Sequence, residues 1–195
     1  MVTTAELLQE LDQEAEATRR LLERVPDDQL DWQPHAKSMT LGRLAMHIAT
    51  LPGGIAEIST WPSFDVSIEQ PQPSAANSAE LLAALDESLA RARTVLGGMG
   101  DEALSTPWRL VNGDREIMTI PRAGLLRTIM LNHWYHHRGQ LTVYLRELDV
   151  PLPGIYGPSA REPPEQRLGV GRLAIGVSHD SYHSMLTSDN HFENY

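Results

Sequence analysis

Helical periodicity is the feature that most narrows what this chain can fold into. In four long segments the apolar residues recur every three or four positions, so each segment has one apolar face, as an amphipathic α-helix does. The segments run from about Thr4 to Arg24, Leu41 to Ser59, Ser78 to Leu96 and Pro121 to Leu148. Amphipathic helices of this length bury their apolar faces against one another. The pattern therefore predicts an all-α fold, a four-helix bundle.

The connections between these segments differ in kind. Residues 61–77 are rich in Pro, Ser and Gln, which predicts a long crossover loop. Asn112-Gly113 separates two short runs of alternating character within Trp108–Met118, which predicts a small β-hairpin before the last helix. Pro52-Gly53-Gly54 interrupts the second segment and predicts a kink or a loosened turn there.

The C-terminal part of the chain has a different character. From Arg161 onward the helical periodicity fades, and Ser178–Tyr195 is polar. We therefore expect one bundle domain over residues 1–160 and an irregular C-terminal extension over residues 161–195.

Composition excludes several function classes. The chain has 195 residues, a formal net charge of −10 and no cysteine. The acidic balance argues against nucleic acid or an anionic membrane surface as the main partner, because both are bound by clustered Lys and Arg. Without cysteine there is no disulfide, no cysteine-ligated metal and no cysteine nucleophile. We find no secretory signal and no apolar run long enough to span a membrane, and we expect a cytoplasmic protein. A small-molecule substrate is the expected partner.

Three histidines stand where apolar residues are expected. His133 and His137 are four residues apart, which places them on one face of the last predicted helix. His47 occupies the apolar stripe of the second segment. A buried imidazole without partners costs about 1–3 kcal/mol, and a shared divalent metal ion would satisfy one nitrogen of each ring. The pattern therefore favours a three-histidine metal site with open coordination positions, and the alternative is three structural histidines.

Several other residues are of types that metal or substrate sites use. His179 and His183 form a second pair four residues apart, but they lie in the polar tail and we interpret them as surface histidines. His136 lies about 100° around the helix from His137 and is expected to face elsewhere. Arg138 is of a type that binds a substrate carboxylate, although a solvated or interface arginine is favoured. Gly139 inside a helix costs about 1 kcal/mol relative to alanine, and close approach of another helix or chain would explain it.

Two stretches of sequence carry a resemblance to a known family. They are His133-Trp-Tyr-His-His137-Arg-Gly-Gln140 and Ser38–Ala49, the latter preceded by Leu30-Asp-Trp-Gln-Pro34. They resemble the DinB-like superfamily of damage-inducible proteins over about Thr4–Ser159. The resemblance implies a bundle in up-down-down-up order, often dimeric, in which three histidines bind a divalent metal ion. Those ligands would be His47, His133 and His137, and the extension after residue 160 departs from the family pattern.

Several functions stay open, and whether the protein is an enzyme is itself uncertain. Relatives in the superfamily include enzymes that use bacillithiol or mycothiol, which favours a metal-dependent thiol transferase with a low-molecular-weight thiol as co-substrate. A metal-dependent hydrolase is the second alternative, weakened because no Glu or Asp stands beside the histidines as a general base. The third is a non-catalytic stress protein that binds a metal or a small molecule. Imidazole ligands suit zinc, nickel, iron or copper alike. We also expect a homodimer, and no catalytic residue beyond the metal ligands is assigned.

Overall fold

Long helices make up most of the described part of the chain, which comprises residues 2–157 and 159 of the computed structural model. The helical elements are α1 (Thr4–Leu22), a 3-10 turn (Asp27–Gln29), α2 (Leu41–Ile58), α3 (Ser78–Gly97), the short α4 (Asp101–Leu104), α5 (Arg122–Leu125), a π-helical segment (Leu126–Asn132) and α6 (His133–Glu147). The last three follow one another without a break. The strands are β1 (Ser63–Asp65), β2 (Pro107–Asn112) and β3 (Arg115–Pro121). The protein is therefore mostly helical with a small three-stranded sheet.

The long helices begin at residues that cap them. The Thr3 hydroxyl accepts a hydrogen bond from the backbone N–H of Glu6, and the Glu6 carboxylate accepts one from the backbone N–H of Thr3. The side chains of Thr40 and Asn77 cap α2 and α3 in the same position. Each of the four predicted helical segments is confirmed, with its ends within two residues of the predicted ones.

The sheet contains the predicted hairpin and one strand more. β2 and β3 pair antiparallel, and Gly113 in the turn between them adopts φ +57°, a conformation that glycine accepts without steric cost. β1 pairs parallel with β2, so the prediction of a loop over residues 61–77 is wrong for Ser63–Asp65. A strand of three residues is too short to show the alternation of apolar and polar residues from which strands are predicted. The Asp65 side chain secures this edge by accepting a hydrogen bond from the Gly113 N–H at 3.0 Å.

Pro52 lies inside α2 without ending the helix. Because proline has no N–H, the carbonyl of Ile48 loses the donor that an α-helix would provide. The indole Nε1 of Trp134, in α6, donates to this carbonyl oxygen at 2.9 Å. The broken turn thus becomes a hydrogen bond between α2 and α6, made by a side chain that is fully buried.

The next residue, Gly53, brings α2 close to α3. Its N–H donates to the Ser88 hydroxyl at 2.8 Å, and that hydroxyl donates to the carbonyl of Thr50 at 3.1 Å. A Cβ atom at Gly53 would lie 2.7 Å from the main-chain oxygen of Ser88, so only glycine fits. At Gly54, by contrast, a Cβ atom would meet nothing within 4 Å.

Arg138 joins α6 to α1. Its guanidinium donates to the Glu14 carboxylate at 2.5 Å, to the Glu14 carbonyl at 3.2 Å and to the Thr18 hydroxyl at 3.3 Å. Only 3% of the residue is exposed. The sequence favoured a solvated or interface arginine, and the structure instead buries it in an ion pair within the chain.

The chain divides into two units, Met1–Leu148 and Asp149–Tyr195. In the second unit, residues 149–157 and 159 are described, and they carry no helix or strand. His179, His183 and the rest of the predicted extension lie outside the described residues. Among the described helices, none has the length and apolarity that crossing a bilayer requires.

Candidate metal centre

The three predicted histidines meet between α2 and α6. His47 lies in the middle of α2, and His133 and His137 lie on the first two turns of α6. One ring nitrogen from each can be chosen so that all three lie within 4.8 Å of one another. The ring centroids are 5.3 Å apart for His47 and His133, 4.7 Å for His47 and His137, and 4.5 Å for His133 and His137. All three residues are half-buried.

Hydrogen bonds hold the rings of the α6 pair. Nδ1 of His137 lies 2.6 Å from Oε1 of Gln140, one turn further along the helix. The His133 ring interacts with the main chain of Ile129, in the π-helical segment, and this contact raises the pKa of His133 against the larger lowering by burial. Bonds of this kind orient histidines that ligate metals, and they direct the other nitrogen toward the ion.

The inner nitrogens of the α6 pair face each other. Nε2 of His133 and Nε2 of His137 lie 2.7 Å apart, a distance at which one neutral ring donates its N–H to the other. A metal ion at this position would accept a lone pair from each ring in place of that hydrogen bond.

Burial keeps the cluster neutral. Desolvation, together with the nearby rings of His137 and His133, lowers the pKa of His47 to about 4. Burial is also the main cause that lowers the pKa of His133 and of His137. At neutral pH all three imidazoles are thus in the form that binds metal ions.

Helix packing fixes the distance between the two halves of the cluster. The buried hydrogen bond from Trp134 to the carbonyl of Ile48 joins the residues that directly follow His133 and His47 in the sequence. A shift of α2 along α6 would break this bond and separate His47 from His133 and His137 at the same time. The turn loosened by Pro52 therefore contributes directly to the geometry of the site.

The donor set fits a divalent transition metal. Ligand nitrogens about 2.0–2.1 Å from a tetrahedral ion lie roughly 3.4 Å from one another. The separations in the cluster, from 2.7 Å to within 4.8 Å, bracket that value. Three neutral imidazoles suit zinc, nickel or iron, and they leave coordination positions open for another molecule.

Two cavities open onto the cluster from opposite directions along α2. The first has a volume of about 330 Å³ and is lined by His47, His133 and residues of α2 and α3, among them Glu87 and Arg91. The second, of about 230 Å³, is lined by His47, Met39, Arg43, Thr50 and residues 70–73. A small molecule bound at the histidines therefore has room on both sides.

The sequence identified the three ligand candidates and missed the groups that orient them. His136 is exposed, as expected from its position on the helix. Gln140 was noted in the motif but given no role, although a glutamine three residues after a histidine on a helix can form a hydrogen bond with its ring. The contact with the main chain of Ile129 could not be predicted, since a residue of any type has a main-chain carbonyl.

Comparison with known proteins agrees with these motifs. The sequence profile of the DinB family matches residues 1–168. The uncharacterized protein YrdA of Bacillus subtilis is 33% identical over 154 residues, which cover 76% of this chain and 85% of YrdA. A DinB-like protein from Bacillus cereus superposes with a TM-score of 0.62 at 25% identity, covering 78% of this chain and 97% of the other. For the DinB-like protein YjoA of Bacillus subtilis the TM-score is 0.58 at 21% identity, with 77% and 97% covered.

Proposed function

The chain belongs to the DinB family, and we propose that it is a metal-dependent enzyme whose His47, His133 and His137 hold one divalent ion. The proposed reaction is transfer of a low-molecular-weight thiol to an electrophilic small molecule. The observation that carries the proposal is the convergence of His47, His133 and His137, each of which brings one ring nitrogen within 4.8 Å of the others. Zinc, nickel and iron are the candidate ions.

The ion would supply Lewis acidity that lowers the pKa of a thiol, so that the thiolate forms near neutral pH. The protein contains no cysteine and therefore takes this nucleophile from a co-substrate. The sulfur forms a bond to an electrophilic carbon, the leaving group departs with its electron pair, and the thiol proton passes to solvent. The histidines orient the reactants, and the apolar cavity wall at Leu51 and Ile55 limits access of water.

A hydrolase is the weaker alternative. Glu87 lines the same cavity as His47 and His133, but its carboxylate accepts a hydrogen bond from Arg91 at 3.0 Å. The ion pair occupies this carboxylate, so it is not free to take a proton from a water molecule at the cluster. The non-catalytic alternative, a protein that binds the metal or a small molecule without turnover, is an outcome of the experiment below.

Further properties are proposed from the family. They are the up-down-down-up order of the four helices, a bundle domain over residues 1–160 with an extension over residues 161–195, a homodimer, and a cytoplasmic location without nucleic-acid or membrane partners. Sedimentation velocity tests the homodimer directly.

The first experiment is elemental mass spectrometry of the untagged protein beside three variants. We expect about one divalent ion per chain in the wild type and in the control His136→Ala, whose side chain is exposed next to the site. We expect loss of the ion in His47→Ala and His133→Ala with the helical circular dichroism retained. An equal metal content in all four proteins would refute the site.

The second experiment tests the reaction on the metal-loaded protein. A set of small thiols is combined with an activated aryl chloride, and thioether formation is followed by mass spectrometry. Turnover in the wild type and in His136→Ala but not in His47→Ala supports the transferase. Metal binding without turnover for any thiol favours the non-catalytic alternative.

A further inference from the structure

Arg43 lies one helical turn before His47 on α2. Residues four apart share a face of a helix, and both side chains line the cavity of about 230 Å³. The opposite wall of that cavity is formed by Gln70, Pro71, Gln72 and Pro73. A molecule that reaches the histidines through this cavity passes the guanidinium.

The charge of Arg43 is not offset by a carboxylate in the described part of the chain. Its Nη2 donates to Oε1 of Gln72, which is a neutral acceptor. Arg91, in the other cavity at the cluster, is different, because it pairs with Glu57 at 2.9 Å and with Glu87 at 3.0 Å. Of the two arginines that line cavities at the cluster, Arg43 is the one whose charge is available to a ligand.

The surroundings of Arg43 increase the electrostatic attraction between its guanidinium and an anion in the cavity. A divalent ion at the neutral histidines would add positive charge on the same side of α2. The side chains of Met39, Pro71 and Pro73 make the cavity wall largely apolar, which reduces screening by water. Glu69 is exposed and does not line this cavity, although it lines a neighbouring opening that Arg43 and Gln72 also border.

We propose that Arg43 binds a carboxylate of the small molecule whose thiol occupies the histidine cluster. The inference rests on the proposed function and narrows its co-substrate to thiols that carry a carboxylate. The planar guanidinium donates two parallel hydrogen bonds to such a group, and Gln72 holds it in place from the other side. Arg43 thereby determines which thiol binds.

The test uses two thiols that differ only in charge, 3-mercaptopropionate and its neutral amide. Each is titrated into cobalt-loaded protein, and binding is read from the thiolate-to-cobalt charge-transfer absorption. The ratio of the two dissociation constants is compared between the wild type, Arg43→Gln and the control Arg115→Gln, an exposed arginine beside the hairpin turn. Comparing ratios between proteins cancels the difference in thiol acidity.

We expect the wild type and Arg115→Gln to favour the carboxylate, and Arg43→Gln to reduce that preference by about ten- to a hundredfold. Cobalt content and thermal denaturation should be the same in all three proteins. An unchanged ratio in Arg43→Gln, or loss of cobalt from it, would overturn the role of Arg43 while leaving the metal site in place. If neither thiol produces the absorption in the wild type, the thiol co-substrate itself is refuted, and the role of Arg43 with it.

Discussion

Replacing Trp134 with phenylalanine should destabilise the protein mainly through one carbonyl group. The indole N–H is the donor to the Ile48 oxygen, whose helical partner position is occupied by Pro52. Phenylalanine leaves this buried acceptor without a donor, which costs ~1–3 kcal/mol. The lost part of the ring leaves a space of roughly 40 Å³, and at about 24 cal/mol per Å³ this adds ~1 kcal/mol. The total loss of unfolding free energy is therefore ~2–4 kcal/mol.

Trp108→Phe is the matched control. Trp108 is equally buried and also donates to a carbonyl of α2, that of Ile58, at 3.1 Å. The Ile58 oxygen accepts a second hydrogen bond, from the N–H of Trp61 at 3.1 Å, so the substitution leaves it with a donor. We expect Trp108→Phe to cost only the ~1 kcal/mol of the cavity.

Urea denaturation of the metal-free proteins, followed by circular dichroism, measures both costs. Metal must be absent because an ion bound to the native state would add its own stabilisation. In a Pro52→Ala background, residue 52 regains an N–H for the Ile48 carbonyl, so Trp134→Phe should then cost ~1 kcal/mol, as the cavity alone does. If Trp134→Phe lowers the unfolding free energy equally in the wild type and in Pro52→Ala, the loss does not come from an unpaired Ile48 carbonyl and the explanation is refuted. Because the bond also spaces the ligands, Trp134→Phe should weaken metal binding by about tenfold or more.

Three further predictions concern packing and charge. Gly53→Ala should lower the melting temperature, because its Cβ would lie 2.7 Å from the main-chain oxygen of Ser88. Gly54→Ala should raise the unfolding free energy by ~0.5–1 kcal/mol, because a Cβ there meets nothing within 4 Å and alanine favours the helix. A destabilised Gly54→Ala would contradict the open space at that position. Glu14→Gln should cost ~3–5 kcal/mol, because it removes the carboxylate that pairs with the buried guanidinium of Arg138. Asp12→Asn breaks an exposed pair with Arg93 and should cost less than ~1 kcal/mol, so similar urea midpoints for the two variants would argue against the distinction. The hydrogen bonds from Arg127 and Tyr135 lower the pKa of Glu10. The stability that this carboxylate contributes is therefore complete above its ordinary pKa of 4.5 and is lost as the pH falls through the lower native pKa. Below pH 4.5 the unfolding free energy should fall more steeply with decreasing pH in the wild type than in Glu10→Gln.

Local patterns made the helices and the cluster of three histidines predictable. An apolar stripe depends only on residues within the same segment, so the segments Thr4–Arg24 and Ser78–Leu96 matched α1 and α3 closely. The three histidines were identified because each replaces an apolar residue on such a stripe. The spacing of His133 and His137 then followed from helix geometry alone.

Contacts between distant segments were not predictable in the same way. Arg138 finds its carboxylate partner 124 residues earlier in the chain, and no pattern around either residue indicates the pairing. β1 exists because β2 offers a free edge to Ser63–Asp65. Gly139 was expected to allow close approach of another helix or chain. No group from another helix in the described part of the chain lies within 4 Å of where its Cβ would be, so the first alternative is wrong and the approach of another chain stays a prediction. The close approach of helices instead occurs at Gly53.

The orientation of the three histidines depends partly on main-chain groups, which the residue types in the sequence do not reveal. The apolar stripe of the last segment has the same spacing whether the turn before His133 is α or π, and the structure has a π-helical segment over Leu126–Asn132. The ring of His133 interacts with the main chain of Ile129 within that segment, and its Nε2 lies 2.7 Å from Nε2 of His137. The residue type of a candidate ligand is thus visible in the sequence, whereas the direction of its side chain depends on the backbone around it. A substitution that restores regular α-helical hydrogen bonding before His133 should for that reason weaken metal binding while leaving all three histidines in place.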